Sequence, residues 1–275
     1  MGTSAHATSV ERALAILEFL DGARRGWNIS EISRKLQIPK SSTHVLVRTL
    51  ERQGYLKREP GSRGYTLGLK LYGLGRGVMR NLSLPSQALP AMRALSEQTG
   101  LTVHLAVLDV DQAIYIQKVE APGLIRFDTY IGKRTNLHCT AIGKALLAYT
   151  TWQRQQRFLS RGSFARYTKN SITTAAALRQ ELQRIRQRGY AIDDEEEELQ
   201  IRCVAAPVLD SAGELVAAIG VTGTTGQVQE GQISWLGRTV RQAANRILQS
   251  QSAGGGWRTA AGMPADGVPP AGARP

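Results

Sequence analysis

Asn28 to Leu50 reads NISEISRKLQIPKSSTHVLVRTL, and its punctuation describes two short helices joined by a tight turn. Asn28 is placed to cap the first helix, Glu31 three residues on completes a capping box, and Ile29, Ile32 and Leu36 fall on one apolar stripe. Gln37-Ile38-Pro39 ends that helix, because the residue before a proline is driven out of the α region. The second helix begins near Lys40 and turns Leu46 and Leu50 inward, one turn apart, while Lys40, Ser41, Ser42, His44 and Arg48 occupy the other face. A basic face rich in hydrogen-bond donors suits the major groove, where side chains meet base edges and the helix N-terminus meets phosphate. Lys40 to Glu51 is therefore read as a recognition helix.

Outward from this pair the pattern stays consistent. Thr8 and Glu11 form another capping box, and Val10, Ala13, Leu14, Leu17 and Leu20 recur at helical spacing, predicting a helix that packs this apolar side behind the other two. After Gln53-Gly54, the β-prone runs Tyr55–Arg58 and Tyr65–Leu67 flank the turn EPGSRG and predict a hairpin. Arg58 and Arg63 on it are placed to reach phosphates or the minor groove. Residues 8–67 are expected to form a winged helix-turn-helix DNA-binding domain, preceded by a flexible arm over 1–7 and followed by a linker helix over 68–80 that carries Leu69, Leu71, Tyr72, Leu74 and Val78. The GLGRG run in that helix lacks the preceding strand, the correctly placed third glycine and the later acidic residue of a dinucleotide fingerprint.

With 275 residues and 42% hydrophobic side chains the chain can build two domains with a core each. Its formal charge of +13 favours a polyanionic partner, and the excess is uneven: residues 1–80 hold 14 Lys and Arg against 6 Asp and Glu, a net of +8, leaving +5 for the other 195. Two cysteines, Cys139 and Cys203, make no disulfide framework, and no C-x-x-C pair points to a zinc ribbon. No apolar run approaches the ~18 residues of a membrane span, and MGTSAHATS lacks the apolar centre of a signal peptide. A cytoplasmic protein without a membrane partner, metal or cofactor is expected.

From Leu101 the period changes to two. Strands are expected around Val103–Val107, Ile114–Gln117 and Ile125–Tyr130, then helices over 141–149, 152–160 and 173–188. Two further strands, Ile201–Leu209 and Leu215–Thr222, are joined by Asp210-Ser211-Ala212-Gly213, and a final helix carries Ile233, Leu236, Val240, Ala244 and Ile247. An antiparallel sheet with helices inserted mid-chain and at the end is an α+β domain of sensor type, placed at residues 81–252. The Gly, Ala and Pro-rich stretch 253–275 is expected to be disordered.

Three segments of this half are LHCTAIGKALLAY at 137–149, RGYAIDDEEEELQIRCVAAPV at 188–208 and AAIGVTG at 217–223. Together with the winged helix, over about residues 8–250 in one register, they closely resemble the IclR family of bacterial transcriptional regulators. Gly189, Asp193, Glu196, Cys203, Val204, Ala205, Val208 and Asp210 fit its signature in order, and Leu209 departs from it. The resemblance implies a GAF-like effector-binding domain for a small metabolite, commonly a carboxylate, and a dimer or tetramer on a partly palindromic operator. Carried over residue by residue, the effector pocket falls on Ala141, Ile142, Asp193, Cys203, Gly220 and Thr222. Gly220 and Ile142 make it less polar than in relatives, and Val45 stands where many members carry Arg. Backbone N–H groups at the start of the helix holding Gly143 can form an anion site, while Thr222 and Cys203 add weak donors. A hydroxy or hydrated oxo acid is expected, since Asp193 would accept from a hydroxyl.

Other readings stay open. His138, Cys139 and Asp193 could form a nucleophilic enzyme site behind an incidental basic N-terminus, or hold a metal with the acids that follow. The whole could also be a non-specific DNA-compacting protein. Residues 193–198 are expected as a solvated acidic loop, and Lys144 as a helix-surface charge or a contributor to effector attraction, since Gly143-Lys144 lacks the glycine of a phosphate loop.

Overall fold

The computed structural model describes residues 9–21, 23, 25–80 and 83–249. The expected arm over 1–7, the Thr8 cap and the tail over 253–275 lie outside the described residues. The chain divides between Ser83 and Leu84 into two compact units.

In the first unit, α1 (Ser9–Leu20), α2 (Ile29–Leu36) and α3 (Lys40–Arg52) precede the strands β1 (Leu56–Arg58) and β2 (Tyr65–Leu67). The Asn28 and Glu31 box closes as the spacing requires: Glu31 N donates to Asn28 Oδ1 at 3.0 Å and Asn28 N to Glu31 Oε2 at 2.9 Å. Gln37 ends α2 in the left-handed region at φ 55°. The turn is then tied by Ser33 Oγ donating to the Ile38 carbonyl at 2.7 Å. Ile16, Leu20, Ile32, Ile38, Val47, Leu56 and Tyr65 form one core, each large aliphatic side chain contributing about 1.5–3 kcal/mol by leaving water. On α3 the fully buried positions are Thr43 and Val47, with Leu46 and Leu50 half-buried beside them. On α1 the expected stripe is rotated: Ile16 and Leu20 turn in, whereas Val10 and Leu14 are exposed. Trp27 pairs with Tyr65 in a single antiparallel bridge at the edge of the wing. The helix α4 (Leu69–Arg80) follows, with Leu69, Tyr72 and Leu74 exposed.

The second unit is a six-stranded antiparallel sheet in the order β5-β4-β3-β8-β7-β6, built from β3 (Thr102–Asp109), β4 (Gln112–Val119), β5 (Arg134–Thr135), β6 (Ala191–Asp194), β7 (Ile201–Leu209) and β8 (Leu215–Thr224). On one face α5 (Leu84–Thr99) and α9 (Ile233–Gln249) cover Val103, Leu105, Val204, Ala206, Ile219 and Val221. The other parity, Ala106, Ala205 and Ala218, meets α6 (Ala141–Tyr149) and α8 (Ala175–Arg188). A short helix α7 (Trp152–Leu159) lies between those two in the chain. With helices on both faces, the central strands are buried on both sides.

The structure departs from the expected elements of this unit in two places. Ile125–Tyr130 is an irregular loop rather than a strand. The edge of β4 is taken instead by the residues after it: Gly132 N donates to Tyr115 O, Tyr115 N donates to Lys133 O, and β5 pairs with Ala113 and Ile114. Lys118 Nζ holds the carbonyls of Phe127 and Thr129 at 3.1 and 2.7 Å and bends the loop over the sheet. The acidic run is only in part a solvated loop, with Asp194 and Glu198 exposed. Asp193 lies in β6, paired with Cys203, and both Asp193 and Glu196 are buried.

Candidate functional site

Two places gather the residues expected from the sequence to carry function. In the first unit, Lys40, Ser41, His44 and Arg48 are exposed on α3 and Ser42 is half-buried. The N-cap is Pro39, whose side chain accepts nothing, and the first turn holds no acid, so its amides stay available to a phosphate. Arg48 is less free than its neighbours, since Glu51 Oε2 holds it at 3.0 Å. The Tyr65 hydroxyl first, and Glu51 after it, favour its charged form. Arg58 and Arg63 are exposed on the wing, where Arg58 pairs with Tyr65 across the hairpin.

In the second unit the register of the sheet assembles a pocket. Asp193 lies opposite Cys203, Cys203 opposite Thr222, and Ala205 opposite Gly220. Laterally paired residues share a face, so three strands turn these side chains to one side. Above them stands the start of α6. Thr140 caps that helix, accepting from Gly143 N at 3.0 Å while donating to Asn136 O at 2.6 Å. The amides of Ala141 and Ile142 in the first helical turn then remain for a ligand. Two glycines permit the approach. A Cβ on Gly143 would sit 2.1 Å from Asn136 O, and one on Gly220 would sit 2.9 Å from Ala205 Cβ and 3.1 Å from Ile142 Cγ1.

The resulting cavity of about 260 Å³ is lined by all six residues expected from the sequence, Ala141, Ile142, Asp193, Cys203, Gly220 and Thr222. It is closed by the 127–133 loop and by Tyr115, Thr140, Glu197 and Glu198, which sequence reasoning missed. Thr140 was findable as an N-cap, and Tyr115 by its alternation with Ile114 and Ile116. Along its wall runs a hydrogen-bonded chain: Cys203 Sγ donates to Thr222 Oγ1 at 3.4 Å, Thr222 Oγ1 meets His104 Nδ1 at 3.3 Å, and His104 Nε2 meets Thr129 Oγ1 at 2.8 Å. Burial, then the charges of Lys118 and Lys133, push His104 down to about 3, so the ring is neutral. The Thr222 hydroxyl is thus already engaged. Asp193 Oδ1 accepts from Glu196 N at 2.8 Å, and burial pushes its carboxyl up to about 7.

Lys144 corrects the expectation of a surface charge: its side chain is fully buried and its Nζ pairs with Glu196 Oε1. His138 stacks on Phe164 with centroids 5.2 Å apart and bonds the Ala165 carbonyl through Nε2 at 2.9 Å. Cys139 beside it is buried, and burial, ahead of the nearby acids, pushes its thiol far up, the reverse of what an activated nucleophile needs. Among the described residues no three His, Cys, Asp or Glu side chains come together to hold a metal ion, and no helix is long and apolar enough to cross a membrane. A larger cleft of about 470 Å³ shares none of the six residues. Its rim is neutralised internally by Arg134–Asp109 and Arg161–Asp111 pairs.

Comparison with known proteins places both units. Residues 76–249 match the family described as bacterial transcriptional regulator IclR C-terminal, and residues 9–60 match the IclR helix-turn-helix domain. The HTH-type transcriptional regulator KdgR of Escherichia coli is 34% identical over 240 residues, covering 87% of this chain and 91% of that protein. The crystal structure of Thermotoga maritima IclR superposes with a TM-score of 0.69 at 30% identity, over 90% of this chain and 99% of that one. An IclR homologue from Microbacterium hydrocarbonoxydans, solved with 4-hydroxybenzoate, shares the fold at a TM-score of 0.77 and 24% identity, over 90% of this chain and all of that one. The chain, with its helix-turn-helix unit and its effector-domain sheet, belongs to the IclR family of bacterial transcriptional regulators.

Proposed function

We infer that α3 and the wing bind operator DNA, that the cavity between α6 and the sheet takes a small organic acid, and that the acid changes operator affinity. The observation that carries this reading is the convergence of six residues from four separate segments on one cavity beneath a helix N-terminus. A carboxylate fits at the free amides of Ala141 and Ile142, where the helix dipole favours negative charge. The far end of the ligand then faces Asp193, which suits a hydroxyl or hydrated oxo group better than an alkyl chain. The 4-hydroxybenzoate held by a homologue of the same fold has these two ends.

The protein acts in the cytoplasm as a dimer or tetramer, because reading a palindrome requires two heads. Exposed apolar side chains on α1 (Val10, Leu14) and on α4 (Leu69, Tyr72) offer surface for that association. The relatives are named as regulators, and the raised thiol of Cys139 gives the enzyme reading no support. Calorimetry with matched acid pairs tests the assignment. Asp193→Ala is expected to weaken a hydroxy acid by ~10-fold or more while leaving its deoxy analogue nearly unchanged. Equal losses for both acids would mean that Asp193 shapes the cavity without reading the hydroxyl.

A further inference from the structure

The effector cavity holds more negative charge than an anion site should tolerate. Asp128, Asp193, Glu197 and Glu198 all line it, and the one lysine on its wall, Lys133, donates to the Asp128 carbonyl. The turn that presents two of these acids, Glu197 and Glu198, follows β6 and is strained, with Glu195 and Gln200 in the left-handed region at φ 57° and 65°. Such strain persists only when the surroundings hold it. Here Thr168 Oγ1 donates to Glu195 O at 2.6 Å and Ser171 Oγ to Glu196 O at 2.6 Å, while Asn136 Nδ2 donates to Glu197 Oε1 at 3.1 Å. A further grip is ionic. Lys144, in the middle of α6, meets Glu196 Oε1, and Glu196 Oε2 is buried with no hydrogen-bond partner among the described residues.

We propose that Lys144 is a positioning residue of the effector pocket: through Glu196 it anchors the acidic turn to α6, and its buried ammonium is the counter-charge that lets Asp193 and Glu197 face an anionic ligand. It does not itself line the cavity. It stands behind the wall, on the same helix whose first-turn amides open into the cavity, so α6 carries the ligand's anion site and the turn's anchor on one rigid element. Asp193 is faced by Lys144 from α6, by Glu196 and Glu197 from the turn, by Cys203 from β7, by Tyr115 from β4 and by Cys139 before α6. Of these groups only Lys144 is a cation. Its charge lowers the proton affinity of Asp193, while burial and Glu196 raise it.

The idea uses the effector reading for its consequence, but its test needs no effector. Two variants of the full-length protein pull in opposite directions. Lys144→Met combined with Glu196→Met removes both charges at matched volume, a change buried ion pairs tolerate, whereas Glu196→Gln removes only the acid and leaves Lys144 to Asp193. The Asp193 carboxyl is followed by 13C NMR titration of protein labelled at aspartate, with Asp193→Asn assigning the signal. The paired variant is expected to raise the Asp193 midpoint by ~1 pH unit, and Glu196→Gln to lower it. If the paired variant left the midpoint in place or lowered it, Lys144 would not be the counter-charge. If the paired variant does not fold, Lys144→Gln, which keeps a hydrogen-bond donor to Glu196 and removes the charge, is expected to raise the midpoint likewise, and a midpoint it left unmoved or lowered would overturn the assignment. Should the wild type bind no organic acid at all, the effector reading fails while this titration result stands.

Discussion

Asp193 is where the chemistry of the pocket is most exposed to test. Its ordinary carboxyl value is 3.8, and in the fold it stands near 7 because burial disfavours the charged form. Below about 7 the side chain is neutral and adds no negative charge to the cavity. Above 7 it ionises and adds a negative charge to a cavity that already holds the ligand's carboxylate. The affinity for an acid effector is therefore expected to fall as pH rises through 7, and Asp193→Asn, which cannot ionise, to flatten the profile. Calorimetry from pH 6 to 8 measures both, and a pH-independent wild type would contradict the assignment. Gly220 makes a different prediction. A methyl there meets Ala205 Cβ at 2.9 Å and Ile142 at 3.1 Å, so Gly220→Ala is expected to cost about 1–3 kcal/mol by overpacking, read as a lower denaturant midpoint. An unchanged midpoint would mean that α6 can retreat freely. Among single residues, Ala141, Ile142, Asp193, Cys203, Gly220 and Thr222 were legible only through the family resemblance, since period alone does not distinguish a pocket-facing Cys203 from a core one. Lys144 was not legible. A lysine in an apolar helix is ordinarily placed at the surface, and its partner Glu196 is 52 residues away in the chain.

At the scale of elements, α2 and α3 were the most readable part of the chain, because caps, breaker and stripe all agreed within 23 residues. α3 makes its own prediction. His44 stands exposed on the outer face, and Arg63 lies on the wing away from it in sequence. His44→Ala is expected to cost ~1–3 kcal/mol on operator and little on random duplex, whereas Arg63→Ala weakens both alike. Arg48→Ala carries a milder expectation than its position suggests, since Glu51 already holds the guanidinium. Equal losses for His44→Ala on both duplexes, measured by anisotropy, would remove base reading from α3. The misread elements have physical causes. Ile125–Tyr130 alternates like a strand, yet the Lys118 ammonium takes the carbonyls of Phe127 and Thr129, and the edge of β4 goes to residues 132–135 instead. β6 was hidden because Asp193 and Asp194 read as solvated charge. What buries Asp193 is its place in β6 opposite Cys203, and the nearby cation whose charge acts on it is Lys144, both distant in the chain. Val10 and Leu14 keep a helical period on the exposed side of α1, so period fixed the helix but not which face turns in.

Across the whole molecule, each unit has its own core: Ile16, Ile32 and Val47 centre one, while the sheet of the other is packed on both faces. The charge follows the same division, with +8 of the +13 in residues 1–80, so the DNA-binding unit carries the electrostatic attraction and the other unit is free to hold a buried acid cluster. Regulation then requires only that a ligand prefer one state of the molecule over another, and such couplings are commonly ~5–150-fold in affinity. Fluorescence anisotropy on a labelled duplex from the gene's own upstream region, at fixed salt, tests this most directly when run with and without 4-hydroxybenzoate and a panel of hydroxy and oxo acids. The expected result is tight binding to that duplex over random DNA, at least one acid that shifts the affinity by ~5-fold or more, and loss of the shift in Asp193→Ala. Equal binding to random DNA, or an acid that binds the protein by calorimetry and leaves operator affinity unchanged, would contradict it.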